Sequence, residues 1–324
     1  MSEIQRAAAV AIISVAVVIL MLAIIYFAAL RVYYSIVFAK TEKLKIGNYD
    51  MMESEQYRPY SKTIKDGVTY MESVDFEDIN IEANDGITLF GRYYENNPKG
   101  PLVLFFHGYR GSAFRDGSGI FAICKRKGYN ILLADQRAHG RSGGKTTTLG
   151  IKERFDCLKW IEYAVNRWGE EKEIILTGMS MGASTVLMAS AFETNANIKG
   201  IISDCGFSSS KEILKSVMKT VGVPVKPAYR VAYRTAKVFG KFDMEEYSPI
   251  EAMEKCRFPV LFIHGDDDRF VPCDMSRQCY DACVAEKEIV FIKSAGHGLS
   301  HCVDAEKYED AIDRFCDKYI CKNY

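Results

Sequence analysis

Net charge is what this chain has least of: 42 Lys and Arg are balanced by 42 Asp and Glu over 324 residues. A protein that grips nucleic acid through its phosphates needs a basic surplus, so no such partner is expected. CxxC pairs are missing altogether, although the chain has ten cysteines. Cys124, Cys157 and Cys205 stand singly inside segments that read as strand or helix, which fits a reducing compartment better than a disulfide framework. Cys273, Cys279 and Cys283 cluster without histidines at zinc spacing, so neither a structural metal nor a cofactor is expected. Histidine is scarce, five in all, which leaves few candidates for an imidazole base.

Apolar residues are plentiful, at 48% of the chain, and at one place they run unbroken. From Ala7 to Leu30 the only ionisable side chain is Tyr26, and Arg6 and Arg31 flank the run. Helical residues at ~1.5 Å each carry such a run roughly 36 Å, enough to cross a hydrocarbon core of about 30 Å. We read residues 1–30 as a transmembrane anchor in preference to a secretory signal, because the run is long and no small-x-small site ends it. Arg31, Lys40, Lys43 and Lys45 follow the span while Arg6 and the α-amine, offset by Glu3, precede it, which favours a single-pass protein with its C-terminal domain on the cytoplasmic side. Residues 31–70 show no clear periodicity and read as a juxtamembrane stalk, whose Tyr33 and Tyr34 fit either the membrane interface or the domain surface.

Residues 71–324 are regular. An alternating stretch from Val74, an Asn-Asp-Gly turn at Asn84–Gly86 and a second stretch from Ile87 predict an antiparallel hairpin. Beyond it, short apolar runs beginning at Leu102, Asn130, Glu173, Ile198, Pro259 and Glu288 alternate with helical segments. That pattern predicts an α/β fold with a mostly parallel central sheet, helices on both faces and antiparallel strands at the N-terminal edge. The alternation stops over about 207–253, where basic helical stretches flank Pro224 and Pro227. Such an insertion after a strand would roof the crevice at the carboxyl ends of the sheet as a helical cap.

The chemistry gathers at strand ends. Gly178-Met179-Ser180-Met181-Gly182 follows an apolar strand and precedes a helix rich in small residues. Glycines on either side permit a sharp strand-to-helix bend that holds the Ser180 hydroxyl out at the top of the sheet. A serine hydroxyl needs a base, and His297, in a glycine-flanked loop past the last strand, stands at the right edge; His301 reads as a surface residue at a helix start. The loop after the Pro259 strand offers Asp266, Asp267 and Asp268 to orient the imidazole, and spacing alone does not choose among them. The N–H of Met181, next after the serine, is suited to an oxyanion. His107, His139 and Asp135 read as loop-bracing residues.

Taken together, His107-Gly108-Tyr109-Arg110-Gly111-Ser112, the Asp135–Ser142 segment, the GxSxG bend, His264-Gly-Asp-Asp-Asp-Arg-Phe-Val-Pro272 and Ala295-Gly-His-Gly298 resemble the α/β-hydrolase superfamily over most of the chain. The resemblance implies that Asp268, third after the glycine, is the acid, and that the Tyr109 N–H is the second oxyanion donor. It implies a serine hydrolase acting on a small-molecule acyl substrate, and the anchor and apolar cap faces favour a lipophilic carboxylic ester. The alternatives are an aminopeptidase or other amide hydrolase with the same triad, and a membrane-tethered binding module without turnover.

Overall fold

The computed structural model describes residues 2–40 and 55–320. It opens with a 35-residue helix, α1 (Glu3–Val37), capped by Ser2, whose side chain accepts from the Gln5 N–H. Among the described residues α1 is the one helix long and apolar enough to cross a membrane, and no residue of its most apolar window is buried. It does not stop at residue 30: its last turns continue onto the rest of the protein, burying Leu30 and Tyr34 with Phe38 just beyond. Lys43 and Lys45 fall outside the described residues.

The stretch expected to be irregular contains α2 (Ser61–Ser73), which buries Ile64, Val68 and Met71. Their spacing of four and three is one helical face, and Met71 packs with the aromatic core beneath the sheet. The sheet follows with β1 (Glu77–Glu82), β2 (Thr88–Tyr94), β3 (Leu102–Phe106), β4 (Asn130–Asp135), β5 (Glu173–Met179), β6 (Asn197–Asp204), β7 (Val260–Gly265) and β8 (Lys287–Ile292). The strand order is β1-β2-β4-β3-β5-β6-β7-β8, with β1, β2 and β4 paired antiparallel and all later pairings parallel. β3 is fully buried, as an apolar run covered on both faces must be.

Helices α3 (Ala113–Lys127), α4 (Glu153–Trp168) and α5 (Met181–Ala189) connect the central strands. Between β6 and β7 the chain leaves the sheet through α6 (Ser210–Thr220), α7 (Val225–Thr235), a wide turn over Ala236–Gly240 and α8 (Pro249–Met253). It closes with α9 (Asp274–Ala282), α10 (Ser300–Val303) and α11 (Ala305–Tyr319). Two large cores result, Trp160, Leu176 and Phe262 belonging to one and Phe105, Phe121 and Phe315 to the other, with a small third cluster of Tyr57, Ile64 and Leu299. β3 sends its connection to β4 on one side, while β5 pairs on its other side. Loops leaving the carboxyl ends of β3 and β5 therefore part there and open a crevice.

The end of α1 is tied into this body by side chains. Tyr34 donates to the Lys145 carbonyl (3.2 Å) and lies 2.5 Å from the Thr146 hydroxyl. Its ring meets Phe239 and that of Phe38 meets Phe242 edge-on, so Tyr34 packs on the domain. Arg234 of α7 donates to the Tyr26 hydroxyl (3.1 Å), and Lys40 Nζ to the Ser142 carbonyl (2.7 Å).

Candidate active site

Ser180 sits between β5 and α5 with φ 55° and ψ −114°, a backbone conformation that costs a non-glycine residue of the order of 1–3 kcal/mol. The flanking glycines make the bend possible. A Cβ on Gly182 would lie 1.9 Å from the Phe106 carbonyl oxygen, and one on Gly178 would lie 2.3 Å from the backbone of Gly182. The Ser180 N–H donates to the Asp204 carbonyl (2.8 Å), pinning the bend to the neighbouring strand.

Two loops from strands further along the sheet meet it. His297, in the β8–α10 loop, has Nε2 2.9 Å from Ser180 Oγ and Nδ1 2.7 Å from Asp268 Oδ2. The ring accepts from the hydroxyl through one nitrogen and donates to the carboxylate through the other, so a proton leaving Ser180 has an acceptor already oriented. Asp268, in the β7–α9 loop, is held from all sides: Oδ1 accepts the N–H groups of Phe270 (2.9 Å) and Val271 (2.8 Å), and Oδ2 also lies 3.1 Å from His264 Nε2. Burial alone would raise its pKa, but the facing His297 and these hydrogen bonds hold it well below the usual carboxylate range. For His297 burial opposes the charged ring, and the Asp268 carboxylate outweighs it, leaving the pKa raised above 6.5.

The other two aspartates are occupied elsewhere. Asp266 accepts the Ser294 N–H (2.6 Å), and Asp267 pairs with Arg269 (3.1 Å). His301 lies away from Ser180 and meets Glu309 at 3.2 Å. The Cys205 thiol, Asp268 and His297 bring ligand atoms within 4.8 Å of one another. The carboxylate and imidazole already spend those atoms on each other and on Ser180, and burial pushes the thiol far up, so the set as placed favours proton transfer over chelation.

The β3–α3 loop supplies the opposite wall. Neither the Tyr109 nor the Met181 N–H finds a protein acceptor among the described residues, and Ser180 lines the same cavity as Tyr109. The loop is braced from below. His107 Nδ1 is 2.8 Å from the Gly108 carbonyl and Nε2 accepts the Gln136 N–H (3.0 Å); His139 Nε2 accepts the Arg110 N–H (3.1 Å). Each ring must keep one nitrogen unprotonated to do this, and burial lowers both pKa values, that of His139 to about 4. Asp116, buried, accepts from the Gly108 N–H (2.8 Å) and Arg115 Nε (2.8 Å). Asp135 accepts the Arg141 N–H (3.0 Å) and fixes the next turn.

Several residues at the site carry no motif. Tyr57 donates to the His297 carbonyl, the Phe270 ring packs tilted at 51° with its centre 5.1 Å from that of His297, and the Tyr308 hydroxyl donates to buried Asp204 (3.0 Å). Burial raises the Asp204 pKa to about 6, and its Oδ1 has no protein partner among the described residues. Nothing in the local sequence around Tyr57 separates it from the other tyrosines of that region.

Two cavities meet at Ser180. One, of about 320 Å³, is walled by apolar side chains of α1 and α6 together with Phe207 and Phe270. The other, of about 260 Å³, carries Arg110, Arg115, Asp116 and Tyr57.

Comparisons with known proteins agree with this architecture. A family model described as alpha/beta hydrolase fold matches residues 101–225. The uncharacterized protein YqkD of Bacillus subtilis is 30% identical over 191 residues, 59% of this chain and 63% of that relative, so the match spans less than two thirds of its length. Alpha/beta hydrolase domain-containing protein 17B of Xenopus laevis is 24% identical over 213 residues, 65% of this chain and 64% of its own. Among solved structures, the Pyrococcus furiosus esterase Pf2001 superposes with a TM-score of 0.63 at 23% identity, covering 78% of this chain and 96% of its own. Est1E from Butyrivibrio proteoclasticus, solved with ferulic acid, gives 0.60 at 23%, covering 75% and 100%. Strand order, family model and structural neighbours converge: this chain has the fold of the α/β-hydrolase superfamily.

Proposed function

We propose that the protein is a membrane-anchored serine hydrolase that cleaves carboxylic esters of lipophilic acyl groups. The observation that carries the reading is the unbroken relay Ser180 Oγ, His297 Nε2, His297 Nδ1, Asp268 Oδ2, with steps of 2.9 and 2.7 Å. In this reading Ser180 attacks the ester carbonyl while His297 takes its proton, and Asp268 holds the ring in the receiving tautomer and stabilises the imidazolium. The Tyr109 and Met181 N–H groups receive the charge that forms on the carbonyl oxygen. His297 then protonates the departing alcohol, and water cleaves the acyl-enzyme by the same route in reverse.

The fold neighbour Pf2001 is named as an esterase, which agrees in reaction class. The amide-hydrolase reading asks for a free carboxylate to hold a substrate amine. Asp116 is engaged with Arg115 and Gly108, and Asp243, Glu245 and Glu246 pair with Lys237, Lys211 and Arg154. The ester reading is therefore preferred. In the same proposal α1 spans the bilayer once, residues 71–324 form the catalytic domain with 207–253 as its cap, and the domain faces the cytoplasm on the positive-inside argument.

The deciding experiment is labelling with a fluorophosphonate probe alongside turnover of p-nitrophenyl esters, for the intact protein and Ser180→Ala. Labelling and turnover that both vanish in the variant support the reading; an unlabelled wild type, or undiminished turnover in the variant, sinks it.

A further inference from the structure

The apolar cavity beside Ser180 has an unusual outer wall. Three of its lining residues, Tyr33, Ile36 and Val37, belong to the last turns of α1. Their spacing of three and four puts them on one helical face. The neighbouring face, Leu30, Tyr34 and Phe38, is buried against the body of the protein. The helix is thus fixed by one face and offers the next to the cavity. The facing wall is α6, through Ile213, Leu214 and Val217.

The mouth of the cavity is apolar too. Val221 and Val223, in the turn between α6 and α7, line it yet are 65% and 40% exposed, and Ile36 is 61% exposed. Toward its N-terminus, beyond exposed Arg31, α1 continues as a long stretch of mostly exposed apolar side chains from Phe27 back to Val10. Water-exposed apolar surface of this kind, contiguous with a membrane-crossing helix, is stable when covered by lipid. On the far side of Ser180 the second cavity carries the charged side chains of Arg110, Arg115 and Asp116 among apolar and aromatic ones. The serine therefore stands at the junction between an apolar slot and one that bears charge.

Resting on the ester-hydrolase reading above, we infer that the substrate is a bilayer-resident ester with a single long acyl chain. That chain slides from the membrane along α1 into the slot between α1 and α6, while the polar alcohol half occupies the arginine-bearing side. The anchor helix is then a wall of the acyl site as well as a tether, and the α6–α7 turn is the lip that meets the lipid.

The test uses the full chain in phosphatidylcholine nanodiscs with p-nitrophenyl esters from acetate to palmitate, each rate divided by the number of fluorophosphonate-reactive sites. Val37→Trp fills the slot from the α1 side; it should lower the palmitate-to-acetate ratio of kcat/KM by about tenfold or more and move the optimum to shorter chains, a size expected when a well-packed pocket loses several methylene sites. A ratio within about twofold of wild type would show that α1 does not wall the acyl site. Val223→Asp alters a side chain already partly in solvent, so folding is not at stake; it should lower the same ratio by about threefold or more by placing a charge where lipid covers the lip. An unchanged ratio there would overturn access from the bilayer. Both outcomes presuppose a wild type that labels and turns over, so they are distinct from failure of the hydrolase reading, in which neither happens.

Discussion

The Tyr109 hydroxyl donates to the Val37 carbonyl at 2.7 Å, across 72 residues of sequence. Beside it the Arg110 guanidinium donates to the Ile36 carbonyl. The loop that carries Tyr109 along the cavities beside Ser180 is therefore latched to the C-terminal carbonyls of α1, groups that a helix end leaves without intrahelical donors.

Tyr109→Phe removes one such bond and leaves an acceptor on the partly exposed helix end. We expect a loss of about 1 kcal/mol, read as a slightly lower Tm and a fall in kcat of up to roughly fivefold. Because Tyr109 also lines the apolar cavity and holds Val37 in its wall, long acyl chains should suffer more than short ones. An equal fall at every chain length would mean that the bond acts through the loop alone.

His297 must be neutral to accept a proton. With its pKa raised above 6.5 by Asp268, activity should be absent at low pH and should rise as pH climbs through a value above 6.5. Asp268→Asn withdraws the charge that raises it; burial then dominates, and the rising limb should move to lower pH while kcat falls by about 10³ or more. A limb that stays in place would show that another group is titrating.

Asp204 points to a pH dependence of stability with the opposite sign to that of an ion-paired carboxylate. Its folded pKa is about 6, against about 3.9 in an unfolded chain. The folded state therefore holds a proton that the unfolded state has lost, and stability falls as pH rises between these values, by at most about 3 kcal/mol. Asp204→Asn, which keeps an acceptor for Tyr308 and cannot ionise, should raise Tm at pH 8 and change it little at pH 4. Equal shifts at both pH values would refute the titration argument.

Gly182→Ala would drive a methyl group into the Phe106 carbonyl, at 1.9 Å. No flexible side chain is there to yield, so β3 and α5 must separate. The variant should misfold or lose several kcal/mol, seen as loss of cooperative unfolding by circular dichroism. A wild-type Tm would show that the elbow has slack.

The sheet was legible because apolar runs at Leu102, Asn130, Glu173 and Pro259 are short and separated by helical lengths, a pattern that few other architectures satisfy. The hairpin was legible from one Asn-Asp-Gly turn. Helix α2 went unread although Ile64, Val68 and Met71 mark a face: Gly67 in its middle and the polar composition hide it, and tertiary contact with the core decides its fate. At the site, Ser180 and His297 announce themselves by glycines at strand ends. Asp268 does not stand out from Asp266 and Asp267 by spacing, and the resemblance alone singled it out; in three dimensions it is the one whose oxygen reaches His297. Tyr57, Asp204 and the end of α1 left no local mark, since their relation to Ser180 depends on how distant segments meet.

Burial of Leu30, Tyr34 and Phe38, each side chain contributing about 1.5–3 kcal/mol, has a further result. The body of the protein grips α1 by surface contact independently of the peptide that joins residue 40 to residue 55. Cutting the chain anywhere in that connection would therefore sever the covalent link and leave these side-chain contacts between α1 and the body as the remaining hold.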